Sequence, residues 1–225
     1  MNLSPLWISL KTSLLATVIT FILGIITSYL IVNYKGKFKG LIDGIFTIPL
    51  ILPPTVLGFF LLLTLGKNGP IGKLLNLFNT NIIFSWTATV IAATVVAFPM
   101  MYRTTRSSFE QIDPNILAAA RTLGLSEFKI FHKIAIPLAW PGIIAGLVLS
   151  FARAMGEFGA TLMIAGNIPG KTQTIPLAIF FTVESGDMKT ALIWVSIIIL
   201  ISFIMIIILN YWSDYNLKIT GKRGR

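Results

Sequence analysis

The chain has 225 residues, of which 55% are hydrophobic and 12% are charged, and its mean hydropathy is +0.85. Soluble domains carry about a quarter charged residues, so this composition predicts a protein that crosses a lipid bilayer. The sequence has no cysteine and one histidine, His132, which excludes disulfide scaffolds, thiolate metal sites and an imidazole-rich metal cage. We expect no cofactor and no metal. The net charge of +10 raises the question of an anionic ligand or nucleic acid.

Five stretches are long and apolar enough to cross a bilayer, which needs roughly 20 residues per helix. They are residues 14–32, 45–65, 82–101, 140–164 and 191–209. A sixth apolar patch, residues 175–183, is too short to cross and predicts a half-helix or an interfacial segment. The N-terminus has no basic region before its apolar stretch, so the first stretch is expected to be retained as a span. The sequence predicts an all-α polytopic membrane bundle in a single domain, residues 1–225.

Basic residues predict the orientation of these spans, because Lys and Arg near span ends stay in the cytoplasm. Twelve follow the first, third or last span, and four lie in the other loops. The twelve are Lys35, Lys37, Lys39, Arg103, Arg106, Arg121, Lys129, Lys133, Lys218, Lys222, Arg223 and Arg225. This asymmetry predicts an external N-terminus and a cytoplasmic C-terminus in the cell membrane. Counted with its acids, the cytoplasmic side holds +7 of the net charge, so a nucleic-acid partner loses its support.

The second predicted span contains Pro49, Pro53 and Pro54, which remove hydrogen-bond donors and bend or break a helix. Broken helices at membrane depth are tolerated where the freed backbone groups line a cavity or contact protein. We therefore hypothesise that Pro53, Pro54 and Thr55 border a translocation pathway. A static kink that fits the neighbouring helices is an equally good interpretation.

The longest interval between spans, residues 103–139, is interpreted as two short cytoplasmic helices. Asp113, followed by proline, is a good N-cap for the first helix, and Gly124 supplies its stop. A second helix begins at the Ser126 cap and is expected to end near Pro137. Three consecutive alanines on the first helix leave little side-chain bulk, so another protein can approach its backbone closely. An amphipathic return into the membrane explains the same residues equally well.

This loop resembles the EAA motif of ATP-binding-cassette importer permeases, written E-A-A, three residues, G, nine residues, I-x-L-P. The matching residues are Ala118, Ala119 and Ala120, then Gly124, and then Ile134, Ala135, Ile136 and Pro137. Ala118 replaces the acidic residue and Ile136 replaces leucine, while the spacing matches at every step. The resemblance implies that the segment from Leu117 to Gly124 is a coupling helix that seats in a groove of an ATPase subunit.

Arg153 and Glu157 lie inside the fourth predicted span, where each charge costs at least about 2.5 kcal/mol. They are four residues apart and therefore share a helical face. A structural or gating ion pair is the favoured interpretation, and a guanidinium that meets an anion in the pathway is the alternative. A stripe of small residues on the same helix predicts close packing with another helix or a dimer axis. It consists of Gly142, Gly146, Ser150 and Ala154.

Two further segments, residues 49–58 and 151–170, resemble the permease subunits of molybdate importers, with tungstate and sulfate/thiosulfate permeases as near relatives. The resemblance implies a homodimer with two ATPase subunits and an extracytoplasmic oxyanion-binding protein. Residues 165–172 also fit a relaxed phosphate-loop pattern ending in Gly-Lys-Thr. Because this segment follows an apolar span on the external side, ATP binding there is not expected.

Two other classes of function remain as alternatives to an oxyanion importer. An integral-membrane enzyme needs clustered acids, histidines or nucleophiles, whereas the eight acids here are scattered; the chain itself is expected to be non-catalytic. An ion-coupled secondary transporter usually shows inverted repeats or paired broken helices, and no internal repeat is visible. Uptake driven by ATP rather than by an ion gradient discriminates between the two kinds of transporter.

Overall fold

The computed structural model describes residues 2–221, with side-chain surroundings up to Ile208. All regular elements in this range are helical, which confirms the predicted class. They are α1 Ser4–Asn33, α2 Lys39–Ile51, α3 Pro54–Leu65, α4 Pro70–Asn76, α5 Trp86–Glu110, α6 Pro114–Thr122, α7 Glu127–Ile130, α8 Ile136–Met155, α9 Gly159–Ala165, α10 Ile175–Glu184 and α11 Met188–Gly221. A π-helical segment, Phe131–Ala135, joins α7 to α8.

Three helical stretches are long and apolar enough to cross a membrane: Ser4–Asn33, Glu127–Met155 and Met188–Ile208. The pair Lys39–Ile51 and Pro54–Leu65 adds a fourth span if the two helices are counted together. α5 is not among these, although residues 82–101 were predicted to span. Twelve of its 25 residues are buried, so α5 can cross the bilayer surrounded by protein, without the continuous apolar surface that a lipid-facing span needs.

α5 is the centre of the bundle and lies between α1 and α8, which approach it closely at glycines. The fully buried Met101 of α5 fills the contact on both sides. A Cβ added at Gly24 of α1 would lie 2.5 Å from Met101 Cγ, and one added at Gly146 of α8 would lie 3.1 Å from Met101 Sδ. Hydroxyls add polar contacts between the helices, since Ser28 Oγ donates to the Tyr102 carbonyl at 2.8 Å. Small residues therefore set the spacing of the three helices.

The small-residue stripe of α8 packs within the chain. Gly142 and Gly146 contact α5 at Ser108 and at Met101, and the buried Ala154 joins alanines of α1 and α5 in a small core cluster. This stripe is accordingly a helix-packing surface, which was one of its two interpretations.

Replacing Gly142 with alanine is expected to destabilise the bundle. The new Cβ would lie 1.6 Å from Ser108 Oγ and 2.7 Å from Ser108 Cβ, and overpacking of this kind costs about 1–3 kcal/mol. We expect the thermal unfolding midpoint in detergent to fall by about 3–10 °C. Gly44→Ala is the matched control, because a Cβ there meets nothing within 4 Å. Ser108→Gly should restore the midpoint of Gly142→Ala, and failure to do so would contradict this packing contact.

Two boundary predictions were wrong. The helix that begins after Ser126 does not end near Pro137 but continues as one helical stretch, Glu127–Met155. The π-helical turn immediately before Pro137 widens the helix where the ring would collide with a preceding carbonyl. The fourth predicted span, 140–164, is not one helix, because it breaks after Met155 and restarts at Gly159.

The short apolar patch 175–183 forms α10, a helix of 10 residues that is too short to cross a bilayer. It packs on α11 around Ile175, Ala178 and Trp194. The three basic residues that end the chain, Lys222, Arg223 and Arg225, lie outside the described residues.

Candidate functional site

The two interrupted helices of the chain meet at their breaks. α2 and α3 are bent by 116° across Leu52 and Pro53, and α8 and α9 are separated by three residues. A Cβ added at Gly159 would lie 3.1 Å from Pro54 Cβ and 3.2 Å from the Thr55 nitrogen. The structure thus brings the predicted residues Pro53, Pro54 and Thr55 next to the segment that carries Glu157.

A second contact keeps α3 against α9. A Cβ added at Gly58 would lie 2.7 Å from Met163 Cβ and 2.9 Å from Ala160 Cα. Only glycine permits this approach, because larger side chains would separate the two helices. The contact fixes how α3 leaves the break at Pro53.

Glu157 is held by two partners at the α8–α9 break. Its side chain is 2% exposed, and its Oε2 accepts a bond from Arg153 Nη1 at 3.0 Å. Its Oε1 accepts the Ala160 backbone N–H at 2.8 Å, which satisfies one of the free donors at the start of α9. The predicted Arg153–Glu157 pair is present in the structure, and the carboxylate is a structural component of the break.

Arg153 retains capacity to bind an anion. A guanidinium has five N–H donors, of which Nη1 is bonded to Glu157. The Arg153 side chain is 28% exposed, so it is only partly enclosed by the chain. Thr55 and Pro53 are exposed, whereas Pro54 is half-buried. The site offers a cation beside a break in two helices.

The loop 103–139 forms the two caps that its sequence predicts. The Asp113 side chain accepts the Asn115 N–H at 2.9 Å, and Ser126 Oγ accepts the Lys129 N–H at 3.4 Å. Gly124 has φ of +76°, the left-handed conformation that favours glycine at a helix end. These local signals set both ends of α6.

The predicted coupling residues lie on different faces of α6: some point toward the rest of the protein and others point away from it. Leu117 is half-buried and packs on the core cluster around Met101 and Phe109, and Ala120 is 4% exposed. Ala118 and Ala119 are exposed, as is Gly124. The alanine pair therefore leaves a smooth outer surface on this helix.

Two exposed apolar side chains follow the alanines in the sequence and were not singled out there. Leu123 is 81% exposed and Phe128 is 71% exposed. Leu123 lies on the same side of α6 as Ala119, because four residues correspond to about 400° of helical rotation. Exposed apolar side chains that form a patch mark a protein or membrane contact. We refer to Ala119, Leu123 and Phe128 as the α6 surface.

The segment after α6 is anchored to the ends of α1 and α5 by aromatic rings. Phe131 lies 4.5 Å from Tyr29 and 6.4 Å from Phe109, measured between ring centroids. Of the closing motif residues, Ile134 is half-buried and Pro137 is exposed. The segment that follows α6 therefore contacts both α1 and α5.

An ion pair links α6 to α7. Arg121 Nε and Nη2 bond to the two carboxylate oxygens of Glu127 at 2.6 and 3.2 Å. This bidentate bond with the Arg121 guanidinium lowers the pKa of Glu127 below its ordinary value. The pair closes the turn at Gly124.

The stability of this turn is expected to depend on pH. Because the folded-state pKa of Glu127 is lowered, the pair stabilises above the unfolded pKa, and this contribution is lost as pH falls through the folded pKa. Amide hydrogen exchange of residues 113–130 should quicken relative to intrinsic rates as the pH falls through this range. Glu127→Gln should remove that dependence, and an unchanged profile in the variant would contradict the role of the pair.

A polar network that sequence reasoning missed ties α2 to α5. Asp43 accepts the Tyr102 hydroxyl at 2.8 Å and forms an ion pair with Arg106. Arg106 Nε also bonds to Glu110 Oε1 at 2.8 Å. The i, i+4 spacing of Arg106 and Glu110 was a visible signal. Nothing in the sequence indicated that Asp43 would join them, because 63 residues separate it from Arg106.

The phosphate-loop-like segment is a turn that Thr172 closes from inside. The Thr172 hydroxyl accepts the Ile168 N–H at 3.0 Å and donates to the Gly166 carbonyl at 3.1 Å. Thr172 is fully buried. A phosphate loop needs this hydroxyl for Mg²⁺ and a strand before the loop, whereas the element before this segment is the helix α9.

The apolar helices, the paired breaks and the α6 surface define a polytopic membrane permease. Residues 20–216 match the family described as "binding-protein-dependent transport system inner membrane component". The chain belongs to this family, whose members are non-catalytic membrane subunits of transport systems.

Similar proteins cover most of the chain. A Bacillus subtilis permease provisionally named for molybdenum transport is 44% identical over 90% of this chain and 90% of its own length. A molybdenum transport system permease of Haemophilus influenzae is 38% identical over 97% of this chain and 96% of its own. A sulfate transport system permease of Salmonella typhimurium is 30% identical over 95% of this chain and 78% of its own.

Solved structures support the fold. A bacterial ABC transporter that imports the acidic polysaccharide alginate superposes with a TM-score of 0.76 at 13% identity, covering 95% of this chain and 79% of that one. A methionine ABC transporter in inward-facing conformations gives a TM-score of 0.68 at 17% identity, covering 92% and 94%. At these identities the likeness concerns the fold alone.

Proposed function

We propose that this chain is the membrane-spanning subunit of an ATP-driven molybdate importer. The proposed substrate rests on the sequence identity to the relatives. The permeases named for molybdenum transport are 38% and 44% identical to this chain, and the sulfate permease is 30% identical. Tungstate shares the shape and charge of molybdate and is the remaining candidate beside sulfate.

The proposed assembly is a homodimer of this chain in the cell membrane, with two copies of an ATPase subunit and an extracytoplasmic oxyanion-binding protein. The α6 surface supports the ATPase contact, because the exposed leucine and phenylalanine and the small exposed Ala119 provide an apolar docking patch. Solved relatives include an alginate transporter in complex with a periplasmic binding protein. The N-terminus is proposed to be external and the C-terminus cytoplasmic, so that α6 faces the ATPase.

In the proposed mechanism, ATP binding and hydrolysis in the partner displace the loop 103–139. The aromatic contacts of Phe131 with Tyr29 and Phe109 carry this displacement into α1 and α5. Alternating access then opens at the paired breaks, where Pro53, Pro54 and Thr55 meet the Arg153–Glu157 pair. The pair acts as a structural or gating element, and the partly exposed positive charge of Arg153 favours an anionic substrate at the gate.

The proposal is tested by uptake of radiolabelled molybdate into vesicles that contain this chain, its ATPase partner and the binding protein. We expect uptake to require ATP on the side of the membrane where the ATPase lies, and to persist when ion gradients are collapsed. Uptake driven by an ion gradient without ATP would overturn the proposal. Calorimetric titration of the binding protein with molybdate, tungstate and sulfate tests the substrate, and a clear preference for sulfate would reassign it.

A further inference from the structure

α2 has few packing contacts with the rest of the chain. None of its 13 residues is buried, and its most extensive packing is on α5. Phe46 provides the apolar part of this contact, with ring centroids 5.5 Å from Phe98 and 5.2 Å from Tyr102. Beyond Phe46, a cavity of about 350 Å³ separates α2 from α1 and α5. Elements with so few buried contacts belong to the less stable parts of a protein, where movement costs least.

The polar part of the contact is made by Asp43 near the start of α2. Its carboxylate accepts the Tyr102 hydroxyl at 2.8 Å and pairs with the Arg106 guanidinium. Arg106 is shared, because its Nε bonds to Glu110 Oε1 at 2.8 Å. The Arg106 and Asp43 side chains are 22% and 34% exposed, respectively. Charge-assisted bonds of this kind are directional, so they hold the orientation of α2 as well as its position.

The network of Asp43, Tyr102, Arg106 and Glu110 lies between the loop that carries α6 and the break at Pro53. Glu110 is the last residue of α5, and Asp113, the N-cap of α6, follows three residues later. At the other end of α2, Ile51 and Leu52 lead into Pro53 and the 116° bend. A displacement of the loop at Glu110 therefore reaches Pro53 along α2 if Arg106 and Asp43 remain bonded.

We propose that Asp43 and Arg106 are positioning residues that transmit movement of the cytoplasmic loop to α2 and to the break at Pro53. This inference rests on the proposed ATP-driven transport. In this inference α2 moves as one unit. It is held to α5 through Asp43, and it turns at Leu52 and Pro53, where it joins α3. Networks of hydrogen bonds and ion pairs carry coupling between distant sites when the element that they hold has two arrangements.

The test compares Asp43→Asn and Arg106→Gln with the unchanged chain in proteoliposomes that contain the ATPase and the binding protein. Molybdate uptake and ATP hydrolysis are measured in the same vesicles. We expect the molybdate taken up per ATP hydrolysed to fall roughly 5- to 150-fold, the range of coupling between distant sites, while assembled complex and hydrolysis remain. Arg103→Gln is the matched control, since Arg103 is an exposed arginine on the same helix and is expected to keep the normal ratio.

A reporter separates transmission from a general loss of structure. The chain has no cysteine, so Ile51→Cys, at an 80% exposed residue at the end of α2, accepts one environment-sensitive fluorophore. Its emission should change between ATP-bound and nucleotide-free states, and Asp43→Asn should abolish that change. A normal uptake-to-hydrolysis ratio in both single variants, loss of the assembled complex, or an unaltered reporter response overturns the inference. Absence of ATP-driven uptake in the unchanged chain refutes instead the proposed function.

Discussion

Replacing Arg153 with alanine is expected to abolish transport and to reduce the amount of folded chain in the membrane. The substitution leaves the Glu157 carboxylate, which is 2% exposed, with the Ala160 N–H as its remaining partner in the described structure. Removing one member of a buried pair costs about 3–5 kcal/mol, and we expect about 3 kcal/mol here because Arg153 is partly exposed. Such a loss is a large part of the stability of a typical domain, about 5–15 kcal/mol. Uptake and the thermal unfolding midpoint measure the two effects.

The double variant Arg153→Ala with Glu157→Gln distinguishes a structural or gating pair from an essential substrate ligand. Glutamine retains an oxygen for the Ala160 N–H and removes the uncompensated charge. If the pair shapes the break, the double variant should recover the folded amount and regain measurable uptake. Uptake at background in a well-folded double variant would instead assign the guanidinium to the substrate. Near-normal uptake by Arg153→Ala alone would refute both roles.

Local sequence signals predicted the elements of the loop 103–139 well, because caps act over a few residues. Asp113, Gly124 and Ser126 each stand where they were expected. The predicted helix end near Pro137 was wrong, because the prediction did not allow for the π-helical turn that accommodates the proline ring. Exposure on α6 was not predictable either, because Leu117 and Leu123 are the same residue type and only the packing of Phe109 and Met101 distinguishes them.

For the candidate pathway, too, local features were predictable from the sequence, whereas contacts between distant residues were not. The prolines predicted the break in the second span, and the spacing of Arg153 and Glu157 predicted their pairing. The break after Met155 was missed, because residues 156–158 contain no proline and apolar residues continue on both sides of them. That Gly159 would contact Pro54 depends on how α3 and α9 pack. Contacts across about a hundred residues leave no periodic signal in one sequence.

Leu123→Asp is expected to prevent assembly with the ATPase and to reduce ATP-dependent uptake to background. Leu123 is 81% exposed in this chain, so its folded contacts are few and the variant should fold normally. Burying a leucine side chain in a partner's groove contributes about 1.5–3 kcal/mol, and a carboxylate in that groove adds a desolvation cost. We expect the affinity for the ATPase to fall at least about 30-fold, measured by co-purification and by binding of the purified ATPase to reconstituted chain.

Ala118→Glu is the matched control for this variant, because it adds the same charge to an exposed residue of the same helix. Position 118 lies on a different side of α6 from Leu123, since five residues correspond to about 500° of helical rotation. The resemblance of the loop to the EAA motif also places an acidic residue at 118. The control should therefore assemble and transport at rates close to those of the unchanged chain. Equal loss in both variants would indicate that added charge, and not the loss of an apolar contact at Leu123, prevents docking; full activity of Leu123→Asp would remove Leu123 from the ATPase contact.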